Sequence, residues 1–465
     1  MPWFQAARAL VAAVLALAGL STTPVTGPDS PAGSPSGSTA PTTASTTATA
    51  STTATVGTTT TSTTTSSSST TTTSRPTTTT APTTSTTAPQ TADGRVRSFW
   101  LHMNSTPTTD EMIATEAKRR SYVVLNAWEG ELARKLKAAN PKLQTFVYKD
   151  LTSTRSYACR NGVDDAQLPT GVGYCDADKN HPDWFLLAPG GQRFEYSGYS
   201  GHWQMDVGNP AYQNAWADNV VASSKGVFDG IFMDNALFPC DAYHPGTCPA
   251  KYPTNASIQD AYKSMLANTR AKFSAAGLKT VANLSNARLH TGAWDAYTEH
   301  LDGGFDEWWL TFSDSDLLSE YPEGWSRQVA EIASNEARGK ITWVQPHFSR
   351  GAEQPFRYAL ASYLLASGGR SAIAEIDVTD GYDNASPWHP EYDWDLGAPS
   401  GPYKALGGNV FRRDFACGVV IVNANRTGSP AVGVELGRSY TNAKSSPVSS
   451  VALAGTSGEV LRKSC

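Results

Sequence analysis

Charge is nearly absent from the first 92 residues of this 465-residue chain: only Arg8, Asp29 and Arg75 carry it there, against 37 Lys+Arg and 42 Asp+Glu in the whole. The rest of the chain holds charge at the density of a globular protein, so we place the start of the folded part at Asp93. The mildly acidic balance, a net charge of -5, excludes a generally basic nucleic-acid binder. No apolar run reaches the ~18 residues needed to span a bilayer, and no integral membrane partner is implied. CxxC pairs and HExxH are missing, so we expect no metal and no cofactor. No GxGxxG follows the first expected strand and no GxSxG occurs in the folded part, which removes the dinucleotide and serine-esterase signatures.

What stands in the charge-poor segment reads as export and spacing. Arg8 precedes the apolar run Ala9 to Leu20, which has the length and small-residue character of a signal peptide, and we assign residues 1–21 to it. Residues 22–92 are nearly all Ser, Thr, Ala, Pro and Gly. Such a tract has too little apolar surface to offset chain entropy, and we expect a disordered spacer, glycosylated or not, on a secreted protein that can associate with a cell surface. The six cysteines, Cys159, Cys175, Cys240, Cys248, Cys417 and Cys465, all follow it. An even count in an exported chain favours disulfides. Six cysteines allow fifteen pairings; nearness in sequence suggests Cys159 with Cys175 and Cys240 with Cys248, leaving Cys417 for Cys465.

Short apolar segments alternate with helical ones through most of the folded part. Eight candidate strands, 98–103, 122–128, 144–149, 230–234, 280–284, 303–308, 341–345 and 371–376, are separated by helical patterns such as 109–118, 131–139, 211–223, 258–276, 325–337 and 355–366. Eight such units predict an α/β fold, a (β/α)8 TIM barrel over residues 93–402. Beyond residue 403 the helical pattern stops. Segments 410–423, 432–436 and 451–453 read as strands of a small C-terminal β appendage, 403–465. Two long loops, 152–201 and 238–254, leave the barrel and would build its active face.

A barrel carries its chemistry at the carboxyl ends of the strands. Residues there are Trp100, His102, Trp128, Tyr148, Lys149, Asp150, Asn283, Trp308, Gln345, His347 and Glu375, which we take with Asp206 as candidates for substrate contact. Two carboxylates stand out. Asp234 ends the apolar strand GIFMD, and Glu307 follows GGFD before Trp308 and Trp309. Facing carboxylates are what hydrolysis of a glycosidic bond requires: an acid for the leaving oxygen, and a carboxylate to attack the anomeric carbon or activate water. We expect Glu307 to be the acid, held protonated by apolar Phe305, Trp308 and Trp309, and Asp234 to stay ionised. Asp206 is as readily a helix cap as a substrate ligand, and Asp234 could itself cap the next helix.

At DGIFMDN, at MDVGNPAYQNAW before it and at the Glu after the sixth strand, the chain resembles the glycosyl hydrolase 15-like group of glycoside-hydrolase-like TIM barrels, kin to endo-α-1,4-polygalactosaminidase barrels. The resemblance covers roughly residues 97–425 and implies Asp234 and Glu307 as the catalytic pair, with a leaning toward retention. It implies a polysaccharide substrate, and we expect a monomer. The competing expectation is a non-catalytic carbohydrate-binding barrel, a wall-tethered lectin or adhesin, which fold alone does not exclude. Removing residues 1–92 should leave the melting temperature, followed by circular dichroism, unchanged; a large fall would mean that the folded part begins earlier.

Overall fold

Eight short strands, apolar on both faces, line up side by side in one parallel sheet. A computed structural model describes residues 93–465 except 105, 106, 380 and 383, so the expected export segment and spacer lie outside the described residues. The strands are β1 (Phe99–Leu101), β2 (Tyr122–Leu125), β3 (Gln144–Asp150), β4 (Gly230–Asp234), β5 (Lys279–Asn283), β6 (Gly303–Asp306), β7 (Ile341–Val344) and β8 (Ala372–Ile373), paired in chain order. The Ile373 N–H donates to the Arg97 carbonyl (2.9 Å), so the outermost strands approach and the barrel is nearly closed. The chain order and the crossovers are those of a TIM barrel.

Strand alternation divides the side chains into two layers. Phe99, Leu101, Tyr122, Val124, Phe146, Phe232, Val281, Phe305, Ile341, Trp343, Ala372 and Ala374 fill the interior. Their neighbours, Val123, Leu125, Val147, Ile231 and Met233 among them, face the helical layer. Large interior rings need gaps opposite them. A Cβ on Gly230 would lie 2.4 Å from the Phe146 ring, so glycine at that position is a packing requirement.

The helices are α1 (Asp110–Arg119), α2 (Gly130–Ala139), α3 (Tyr174–Asn180), α4 (Pro210–Ser224), α5 (Asn255–Ala276), α6 (Ala293–Thr298), α7 (Trp325–Ala337) and α8 (Glu353–Ala366), and all but α3 and α6 answer to an expected helical segment. The longest, α5, opens on a capping box at Thr254 and Ser257, and Gly277 ends it with φ +75°. The short α3 lies inside the first long loop, beside small antiparallel pairs joining 153–155 to 202–204 and 159–160 to 163–164. Disulfides Cys159–Cys175 and Cys240–Cys248 close segments within the two long loops, and Cys417–Cys465 holds the chain's end. No helix among the described residues is long and apolar enough to cross a membrane.

The C-terminal part is larger than its expected strands. Segment 410–423 is a hairpin, β10 (Val410–Phe415) and β11 (Gly418–Asn423), because the chain turns at Ala416 and Cys417 inside an otherwise continuous apolar run. With β9 (Lys404–Gly407), β12 (Val432–Thr441), β13 (Pro447–Leu453) and β14 (Ser457–Arg462) it forms an antiparallel sheet in the order β9-β10-β11-β14-β12-β13. Phe415, Val420, Val422 and Val460 pack in one cluster with Phe356, Leu360 and Leu364 of α8. Val419, Ile421 and Leu461, which alternate with them, pack with Val434 and Leu436 of β12. Burial of each such side chain contributes about 1.5–3 kcal/mol, and a whole domain retains only ~5–15 kcal/mol. A chain ending at Tyr403 should therefore show no cooperative melt by circular dichroism; a native-like transition in that variant would make the sheet an independent module.

Candidate active site

Alternation along the strands selects which candidates reach the mouth. On β3 the interior positions after Phe146 are Tyr148 and Asp150, on β4 Asp234 follows Phe232, and on β5 Asn283 follows Val281. Glu307 follows Phe305 past the end of β6, and Gln345 follows Trp343 past the end of β7. Five of these six residues connect through hydrogen bonds around two carboxyl groups, and Asp150 stands opposite Asp234 in the β3–β4 register. Asp234 and Glu307 are each 8% exposed.

Asn283 sets the spacing of the pair. Its Nδ2 donates to Asp234 Oδ1 (3.0 Å) and to Glu307 Oε2 (2.9 Å). The two hydrogens of a planar amide nitrogen diverge by about 120°, which puts those oxygens about 5 Å apart. Its own Oδ1 accepts from the Ser285 N–H (3.2 Å), so the amide is locked in register. Asp234 accepts two further bonds, from Tyr148 Oη (2.6 Å) and from the Asn235 N–H (2.9 Å). Glu307 accepts one more, from Tyr382 Oη (2.8 Å).

Electrostatics separate the two acids. Burial first, and then the charge of Asp234, raise the Glu307 carboxyl to about 7, against the pull of Tyr382 and Asn283. Burial and Asp150 raise Asp234 as well, while its three donors favour the charged form. Tyr199 and Tyr243 reach the pair from the two long loops; burial is the largest cause of their raised phenol pKa values, and the charges of Asp234 and Glu307 add to it. Tyr243 donates to Asn235 Oδ1 (2.7 Å), and both residues hold the left-handed backbone that asparagine tolerates and tyrosine rarely adopts.

The other candidates lie around this centre in different ways. Asp150 accepts from the Thr152 N–H (3.0 Å) and from Ser153 Oγ (2.6 Å), and Arg155 stands 3.4 Å away. Lys149, on the opposite face of β3, donates to the Leu168 carbonyl (2.5 Å), and burial lowers its pKa to about 8. Trp100 packs in the outer core. His102 Nδ1 stands 2.8 Å from Glu129 Oε1, and Trp128 is 41% exposed. Asp206 is held by Lys251 (2.5 Å) and Tyr252 (2.6 Å), pinning one long loop to the other. Asn209, rather than Asp206, caps α4. No helix starts after Asp234 until Asn255, so Asp234 has no capping role. Glu375 pairs with His389 (2.7 Å) and lines a crevice with Gln345, Asp377 and Tyr382.

The apolar wall expected around Glu307 is not made of its sequence neighbours. Trp308 stacks on His347 (centroids 3.7 Å apart), and burial lowers the imidazole to about 3, leaving a neutral ring whose Nε2 contacts the Glu307 carbonyl (2.6 Å). Trp309 turns into the outer core with Trp325 and donates to the Gln328 carbonyl (3.2 Å). Phe305 belongs to the barrel interior. Tyrosines take their place near the acid. Tyr199, Tyr243 and Tyr382 come from loops without periodic pattern, and sequence reasoning missed all three. A tyrosine in a long loop at the carboxyl face was the one available signal.

A barrel with two buried acids ending β4 and following β6 defines a glycoside-hydrolase-like TIM barrel. The chain belongs to hypothetical glycosyl hydrolase family 15, whose model matches residues 137–419, and this places it among glycan-acting hydrolases. No curated protein sequence matches it. Similar solved structures include the glycoside hydrolase domain of PelA from Pseudomonas aeruginosa, 15% identical, covering 65% of this chain and 97% of that chain at a TM-score of 0.38. An α-amylase from Lactobacillus plantarum is 10% identical over 80% of this chain and 99% of that chain, TM-score 0.47. Ega3 from Aspergillus fumigatus, solved with galactosamine, is 10% identical over 62% and 92%, TM-score 0.35.

Behind Glu307, on the outer face of β6, Asp306 and Glu331 of α7 are both buried, and burial raises both carboxyl groups above their ordinary range, with the charge of Asp306 adding to the rise of Glu331. Gln328 donates to Asp306 (2.7 Å). Because the folded-state values are raised, their contribution to stability is intact below the ordinary carboxylate pKa of about 4 and declines as pH rises toward the raised values. Glu331→Gln keeps the size of the side chain and removes one titrating group. Its melting temperature relative to wild type should climb steadily from about pH 4 to about pH 8; a difference constant over that range would show that the pair does not titrate there.

Proposed function

We propose that this chain is a secreted glycoside hydrolase that cleaves an extracellular or cell-surface polysaccharide with Asp234 as nucleophile and Glu307 as acid and base. The observation that carries the reading is the Asn283 bridge, which sets the nearest oxygens of two buried carboxyl groups about 5 Å apart. That spacing supports retention, because it lets one carboxylate reach the anomeric carbon directly while the other faces the leaving oxygen. In the first step Asp234 forms a bond to the anomeric carbon as Glu307 gives its proton to the departing glycosidic oxygen. In the second, Glu307 takes a proton from water as that water attacks the same carbon, and Asp234 leaves with its electron pair. The chain ends where it began, with one proton on Glu307.

The division of roles follows the environment. Burial raises both acids, but three donors favour the charged form of Asp234, whereas burial and a neighbouring charge keep a proton on Glu307 up to about 7. The scheme calls for no cofactor. Three disulfides and the apolar leader support export. Glu307→Gln and Asp234→Asn should each lower reducing-end release from a responsive surface polysaccharide by about 10²- to 10⁴-fold with an unchanged melting curve. A 2-deoxy-2-fluoro glycoside matched to that polysaccharide should leave an ester on Asp234, detectable by peptide mass. An ester on another carboxylate, or Glu307→Gln with most of its activity, would overturn the assignment. Sugar binding with no release from any glycan would leave the carbohydrate-binding barrel standing.

A further inference from the structure

Tyr382 Oη lies 2.8 Å from Glu307 Oε1 and 3.0 Å from Gln345 Oε1. A phenol has one hydrogen to donate, and both neighbours present an oxygen acceptor. The hydrogen therefore serves one of them at a time. We propose that Tyr382 and Gln345 form a two-position relay that stabilises Glu307 in each of its protonation states, acting as positioning residues for the acid and base; this rests on the role assigned to Glu307 above. When Glu307 is ionised, Tyr382 donates to Oε1 in a charge-assisted bond. When Glu307 carries a proton on Oε1, that O–H donates to Tyr382 Oη, and the phenol hydrogen turns to Gln345 Oε1. Rotation about the C–O bond of the phenol makes the exchange, with no bond broken and no proton gained or lost by the relay. Oε2 takes no part, since Asn283 occupies it in both states.

Both relay residues are anchored independently of Glu307. Gln345 is buried; its N–H donates to the Asp306 carbonyl (3.0 Å) and its carbonyl accepts from the Trp309 N–H (3.2 Å). Tyr382 packs against the barrel's interior cluster, and Asn104 Nδ2 donates to its carbonyl (3.1 Å). The other titratable groups facing Glu307 are Asp234 across Asn283, Asp306 behind it, Tyr199 and Tyr243 from the long loops, and the neutral His347 at its backbone carbonyl. Side-chain hydrogen bonds reach the Glu307 carboxyl group from Tyr382 at Oε1 and from Asn283, which does not titrate, at Oε2, and the second neighbour of Tyr382, Gln345, is uncharged.

The relay makes opposite demands on its two members, which gives the test its sign. In the full chain, the Glu307 carboxyl would be titrated by NMR with ¹³C-labelled glutamate, its signal assigned by its loss in Glu307→Gln. Tyr382→Phe removes the donor to the charged form and should raise the midpoint by about one pH unit. Gln345→Met removes the acceptor that supports the protonated form and should lower it by about half a pH unit. In the double variant Gln345→Met should add nothing to Tyr382→Phe, because it acts through the phenol. Shifts of the same sign, or an undiminished effect of Gln345→Met without the phenol, would overturn the relay. Should Tyr382→Phe fail to fold, Gln345→Met alone must still lower the midpoint, and no fall overturns the proposal. The titration needs no substrate, so it reads the relay even if no glycan is cleaved. If the NMR midpoints move as expected while the alkaline limb of the pH–rate profile stays in place, the acid role of Glu307 fails and the relay stands.

Discussion

Two carboxyl groups about 5 Å apart in a buried mouth repel each other strongly when both are ionised, so one must hold a proton or both must be heavily hydrogen-bonded. Much of the carboxyl face is arranged around that constraint. Asn283 contributes both amide hydrogens, one to each acid, and so fixes the distance and offsets part of the repulsion with a neutral group. Tyr148 and the Asn235 N–H attend to Asp234, Tyr382 to Glu307. A lysine or arginine bridging the pair would neutralise both acids and hold both ionised. A neutral amide leaves one of the two free to hold a proton.

The long loops serve the same constraint from above. Tyr199 and Tyr243 come close enough to feel the charges of both acids, which add to the burial that raises their own phenols. Tyr243 is in turn tied to Asn235, next to Asp234, and stacks on Tyr196 at 4.2 Å. Asp206 links the loops to each other through Lys251 and Tyr252, and each loop contains its own disulfide. The loops thus behave as walls of the site with internal bracing, positioned by the barrel beneath.

The barrel was legible because each strand is a short apolar run bounded by polar residues, and all eight begin within one residue of their expected start. Period two explains both the success and the failure at the site. It carries Asp234, Asn283, Glu307 and Gln345 inward from interior Phe232, Val281, Phe305 and Trp343, which could be read from the strand patterns. Extended by one residue, the same rule turns Lys149 and Trp308 away from the mouth, so proximity in sequence to Glu307 was a poor guide to what surrounds it. Tyr382 was illegible for a different reason: it sits on a loop after β8, where no period fixes a side chain's direction and only tertiary packing decides it.

The seam between α8 and the C-terminal sheet bears on the order in which the molecule can assemble. Leu360 and Leu364 of α8 bury against Val420 and Val460, and Val460 lies five residues from the chain's end. The ribosome makes these strands after the helix, so the outer face of the barrel's final helix stays unmatched until they follow it. Contacts this distant in sequence slow the search for the native state and leave apolar surface open while it proceeds. Until β11 and β14 join it, the barrel's final helix lacks the apolar partner that covers it, so the barrel and the C-terminal sheet complete their packing together.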